Sequence, residues 1–138
     1  MQAYASGTAI AQIALENVAY LRTSRIWELS GGNVDRIDCL TVEKAARASD
    51  KLAAEIWRQA GERLGHGISV LLQLFDPEAV IIGGGVSKAM DLFREPMERV
   101  IREHTYELIS KNMRIVPAEL GQDAGVVGAA MIALRDII

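Results

Sequence analysis

The chain holds a single cysteine, three prolines, two tryptophans, two phenylalanines and three tyrosines in 138 residues. With Cys39 alone, no intrachain disulfide can form and no zinc cluster can be built from thiolates, a usage that fits a reducing cytoplasm. Positive charge is also short: 15 Lys and Arg face 18 Asp and Glu, for a formal net charge of -3 and a pI near 5.4. Phosphate-backbone binding needs a basic face, and single-strand binding needs aromatics interleaved with arginines. Neither is present, so nucleic acid is not an expected partner of this segment. No apolar run approaches the ~18 residues that span a bilayer, and the first residues lack a basic stretch followed by an apolar one. A cytoplasmic protein without a membrane partner is expected.

What is present is the composition of one globular unit: half the residues are apolar and 24% are charged. Ile10, Ile13, Ala14, Val18 and Leu21 recur at helical spacing and predict an amphipathic helix from Ala3 to Leu21. "SGGN", residues 30–33, is a loop signal, and Thr41 is placed to cap a short helix over Val42 to Arg47. Ser49 or Asp50 can cap a long helix carrying Leu52, Ile56, Ala60, Leu64, Ile68, Leu71 and Phe75 at intervals of three or four. Gly61, Gly65 and Gly67 inside it each cost up to about 1 kcal/mol relative to alanine, so close packing against another helix is expected to offset them.

After a turn at Asp76 and Pro77, Ala79 to Ile82 is a short apolar strand, of the kind buried on both faces of a parallel sheet. Gly83, Gly84 and Gly85 follow. Ser87 can cap the next helical turn, and Pro96 suits the first turn of a helix whose Met97, Ile101, His104 and Leu108 share a face. Asn112 to Pro117 is a second strand, and Ala124 to Ile137 a final helix capped by Asp123. Two strands joined by a crossover helix should be parallel, within an α/β architecture.

Of the chemical motifs, the glycine turn carries most. It stands at the carboxyl end of a strand, where α/β sheets bind ligands, and bare glycine backbone lets a flat ring lie close. A simple tight turn is the other reading. The spacing matches neither a dinucleotide fingerprint nor a phosphate loop. "DAGVV", residues 123–127, begins like a phosphate-gripping hairpin but lacks its threonine, and Asp123 reads better as an N-cap. His104 is expected to be a satisfied core residue, and His66 is given no role. Glu43, Glu55, Glu62, Asp91, Glu95 and Glu98 read as solvated helix positions. No catalytic residue and no metal ligand is assigned.

Four blocks, "AYASGTAIAQIA" from Ala3, "TVEKAARASDKLAAEIW" from Thr41, "LGHGISVLLQLFDPEAVIIGGGVSKA" from Leu64 and "LGQDAGVVGAAMIAL" from Leu120, resemble the ROK family of bacterial sugar kinases and repressors, most of all its glucokinases. The resemblance implies the C-terminal half of an actin-like, hexokinase-like ATPase fold with ribonuclease-H-like lobes: mostly helices on a small parallel sheet, with residues 1–138 as one segment and the N-terminal lobe absent. It implies ATP or ADP with Mg2+ as cofactor. Gly83, Gly84 and Gly85 would receive the adenosine part, with hexose as partner in the complete protein. The family's Asp-x-Gly-x-Thr loop, its catalytic aspartate and its zinc motif of one histidine and three cysteines have no counterpart here. Gln2 stands where the family typically has a glutamate that binds sugar hydroxyls. Glutamine can still donate and accept hydrogen bonds.

Three functional expectations follow from the resemblance. The first is a glucokinase segment whose parent phosphorylates glucose at the 6-hydroxyl. The second is the sugar-sensing segment of a ROK repressor, and the third a non-catalytic assembly protein derived from the fold. A chain of this shape leaves apolar faces open and is expected to associate with itself or with a complementary N-terminal fragment.

Overall fold

The computed structural model describes residues 6–107, 113–120 and 123–135. Gln2, Leu108, Asn112 and Ile137 lie outside them. In chain order the elements are α1 (Gly7–Glu16), α2 (Val18–Leu21), α3 (Arg25–Leu29), a 3₁₀ turn (Val34–Arg36), α4 (Cys39–Arg47), α5 (Lys51–Phe75), β1 (Ala79–Ile82), a 3₁₀ segment (Gly85–Ala89), α6 (Met90–His104), β2 (Arg114–Pro117) and α7 (Ala124–Arg135). The strands pair in parallel, Ala79 with Arg114 through Ile82 with Pro117, as the crossover helix requires. The fold is thus mostly helical on a small parallel sheet, the expected class.

α5 and α6 form its spine and run parallel. Trp57 stacks on Phe93, with ring centroids 5.8 Å apart, and its indole N–H has no acceptor among the described residues, so apolar packing alone holds it. Further along, Gly61 and Gly65 meet α6. A Cβ on Gly61 would stand 2.5 Å from the Phe93 carbonyl oxygen and 2.9 Å from Pro96; one on Gly65, 2.7 Å from the Met97 carbonyl oxygen. The two glycines, one helical turn apart, are therefore what lets the backbones touch. Gly67 is half-buried. Around this contact Ile10, Ile26, Val42 and Ile56, all fully buried, join the N-terminal helices to the spine. Arg47 adds an ion-pair bridge from α4 to α6, meeting Glu43 at 2.9 Å and Asp91 at 2.8 Å.

Several local expectations are corrected. The predicted helix over 3–21 is broken at Asn17, whose side-chain amide donates to the Ile13 carbonyl at 2.7 Å and ends α1. α4 starts earlier than expected: the Asp38 carboxylate accepts both the backbone N–H and the hydroxyl of Thr41, so Thr41 is inside the helix and Asp38 caps it. Ser87 caps nothing. The 3₁₀ segment runs straight into α6, and the serine hydroxyl donates back to the Gly84 carbonyl at 2.7 Å. Pro96 is the seventh residue of α6, not in its first turn, and is buried against Gly61. β1 is half-buried, not buried on both faces: Val80 and Ile82 pack on the core, whereas Ile81 is 67% exposed. His104 is exposed.

Of the two caps offered for α5, Asp50 acts. One of its carboxylate oxygens accepts from Ala53 N–H at 2.8 Å and from the Ser24 hydroxyl at 3.0 Å; the other accepts from Arg25 N–H at 2.8 Å. Ser24 is itself buried and caps α3 through Ile26 N–H. One carboxylate thus fixes two helix starts. Asp50→Ala is expected to lower unfolding stability by about 2–3 kcal/mol, since it removes a cap and strands a buried hydroxyl. A urea denaturation midpoint measures this, and Asp50→Asn should recover part of the loss.

Candidate functional site

β1 ends at Ile82, and the chain then turns sharply. Gly83 sits beside Ala118, 3.6 Å from where its own Cβ would be, an ordinary contact. Gly84 is different: its φ of +82° and ψ of −176° belong to a region that L side chains scarcely enter, while the space beside it holds nothing within 4 Å. The turn therefore demands glycine at one position because of backbone conformation. It leaves an open approach to that backbone. Gly85 begins the 3₁₀ segment that leads into α6.

The three glycines line one wall of a cavity of about 450 Å3. Leu64 and Ile68 of α5, Val80 of β1 and Val86 supply apolar walls, and Ser6 and Gly7 come to it from the start of α1. Ser6 caps α1 by accepting the Ala9 N–H at 3.2 Å, and its helix opens at the cavity with the first amides that lack intrahelical acceptors. No residue lining the cavity carries a charge. Such a site suits a flat, largely uncharged ring system laid against glycine backbone, and leaves any attached phosphates to be held by other groups.

Sequence reading assigned Gly83, Gly84 and Gly85, and the fold brings all three to this cavity. Gln2 lies outside the described residues. Ser6, Gly7, Leu64 and Ile68 were not assigned to it. Their approach depends on tertiary placement, and only their presence inside the blocks shared with a known family hinted at them.

The Cys39 thiol is pushed up to about 11 by burial, with Glu43 and Asp38 adding to the effect, so it stays protonated. Hydrogen bonds from Arg58 and then Gln59 hold the Glu55 carboxyl well below its ordinary range, and Arg47 does the same for Asp91. Both are ionised partners of arginines, not proton donors. Among the described residues, no three of His, Cys, Asp and Glu converge on a point where they could hold a metal ion.

Comparison with known proteins gives the geometry a context. The sequence profile of the ROK family matches residues 1–136. A glucokinase of Streptomyces coelicolor is 34% identical over 136 residues, covering 94% of this chain and 42% of that protein. A solved structure of a ROK family glucokinase from Streptomyces griseus, in complex with glucose and AMPPNP, superposes with a TM-score of 0.77 at 33% identity, over 94% of this chain and 43% of that one. A xylose repressor of Caldicellulosiruptor bescii is 28% identical over 110 residues, 80% of this chain and 28% of the repressor. The chain spans about two fifths of the length of the glucokinases it matches.

Proposed function

The chain belongs to the ROK family, and from that premise we propose that it forms the nucleotide side of an ATP-dependent sugar kinase, the whole protein phosphorylating glucose at its 6-hydroxyl. The observation that carries this reading is the Gly84 turn, a conformation reserved for glycine that opens onto an uncharged cavity at the carboxyl end of β1. Adenosine fits such a cradle: the base lies on the Gly83–Gly85 backbone, and Leu64, Ile68, Val80 and Val86 keep water from its face.

ATP with Mg2+ supplies the transferable phosphoryl group and the charge neutralisation it needs. Phosphate positioning, metal binding and removal of the sugar hydroxyl proton then fall to groups outside this cavity, whose lining carries no charge. Gln2 is the residue here proposed to reach the hexose, through its side-chain amide. The cytoplasm is the proposed compartment.

The match to a xylose repressor favours a second reading, in which this segment senses sugar for a DNA-binding module elsewhere in the chain. A graft separates the two. When residues 1–136 replace the matching stretch of the Streptomyces coelicolor glucokinase, the folded chimera is expected to make glucose 6-phosphate from glucose and ATP. A folded chimera without phosphotransfer contradicts the kinase reading.

A further inference from the structure

The chain has two histidines, and the fold places them together at the seam of α5 and α6, away from the glycine cavity. The rings of His66 and His104 have centroids 4.5 Å apart and planes at 78°. Both residues are exposed. Nδ1 of His104 lies 2.9 Å from the Val100 carbonyl oxygen. A carbonyl only accepts, so Nδ1 carries the proton, and Nε2 of the neutral ring keeps its lone pair for another partner. Metal-binding histidines are commonly oriented by this kind of bond, the second nitrogen donating to a carbonyl. The backbone is pinned as well: Gln73 on α5 donates to the His104 carbonyl at 2.9 Å.

We propose that His66 and His104 form a two-histidine site for a late first-row divalent cation, with water at the remaining coordination positions. Distance supports this. With metal–nitrogen bonds of about 2.0–2.1 Å, each ring centroid sits about 3.2 Å from the ion, and two ligands at about 90–110° put their centroids about 4.5–5.2 Å apart. The observed separation lies at the short end of that range, and because both side chains are exposed, their rings can turn from this edge-to-face contact to present a nitrogen each to one ion. Competing anions are already engaged: Glu62 pairs with Arg58 and Arg99, and Glu103 faces Arg99.

With two protein ligands the site is exchangeable rather than structural, and imidazole donors favour copper(II) over nickel(II) or zinc(II). A bound ion would clamp α5 to α6. This inference does not depend on the kinase reading.

The test is copper(II) titration of the untagged chain, followed by electron paramagnetic resonance, alongside His66→Gln, His104→Gln and the double variant, which has no imidazole left. The wild type is expected to bind one ion with hyperfine coupling to two nitrogens, and to melt at higher temperature in excess zinc(II). Each single variant should weaken copper binding at least about tenfold and lose the zinc-dependent rise in melting temperature. Because both residues are exposed, the variants should keep the wild-type helical circular dichroism and metal-free melting temperature. Equal affinity and an unchanged nitrogen count in His66→Gln would overturn the assignment. So would a wild-type signal with a single nitrogen.

Discussion

Gly61→Ala is expected to destabilise the chain by about 2 kcal/mol, even though alanine is the better helix former by about 1 kcal/mol. Two effects of opposite sign compete at this position. The intrinsic gain is fixed by the residue type. The loss comes from α6, whose Phe93 carbonyl oxygen lies 2.5 Å from the new methyl group, and a backbone atom cannot turn aside as a side-chain tip can. The helices must part, and parting them loosens the stack of Trp57 on Phe93 one turn away. Gly65→Ala meets the Met97 carbonyl oxygen at 2.7 Å and should behave alike. The double variant is expected not to fold cooperatively.

Gly125 on α7 is the contrast. Its Cβ would meet nothing within 4 Å, so Gly125→Ala should raise stability, by up to about 1 kcal/mol. Thermal and urea unfolding of the three single variants decides the matter. A neutral or stabilising Gly61→Ala would mean that α5 and α6 are not in backbone contact.

The second large effect concerns association. By the strand register, Ala79 and Ile81 turn their backbone groups away from β2, while Ile115 and Pro117 face outward on the other side. Pro117 has no N–H to offer, and proline is a common guard of an edge strand. The outer edge of β1 has no such guard. On the sheet face opposite Val80 and Ile82, Ile81 is 67% exposed, and Val70, Leu74 and Phe75 on α5 are also exposed. A purified 138-residue chain is therefore expected to be larger than its 15.0 kDa monomer at micromolar concentration, by light scattering after size exclusion. Ile81→Lys should shift it toward monomer by charging the apolar face beside the open edge. A monodisperse wild-type monomer would show that this edge is satisfied in some other way.

How much of this was legible in the sequence depended on whether the deciding interaction was local. β1 was read at its observed bounds because an apolar run between a proline turn and three glycines has few other solutions. Its neighbour α5 was equally plain, since its period of three to four persists over 25 residues; its three glycines pointed to close packing on some helix, but that the helix is α6, and that only Gly61 and Gly65 make the close backbone approach, rests on tertiary placement.

Ser87 and Pro96 misled because both look like the start of a helix. The chain instead passes from the 3₁₀ segment into α6 without a break, and proline is accommodated inside α6 against a glycine of α5. Asp38 displaced Thr41 as a cap because a carboxylate three residues earlier can accept from both its amide and its hydroxyl. The pairing of His66 with His104 lay beyond local reading altogether. It joins residues 38 positions apart, and an apolar helical face pointed to the core for a side chain that lies at its margin. At the candidate site, the glycines were legible through their conformational demands; Ser6, Gly7, Leu64 and Ile68 reach the cavity only through the packing of α1 and α5.

Calorimetric titration of ADP into the purified chain, with Gly84→Val alongside, tests whether the glycine turn receives adenosine. The substitution cannot hold a φ of +82° and must rearrange the turn, yet the space beside Gly84 is empty, so the helical body is expected to survive with unchanged circular dichroism. Saturable binding by the wild type, at least about tenfold weaker in the variant, is the predicted result. Equal affinity in a folded Gly84→Val, or no binding by a folded wild type, would contradict the claim.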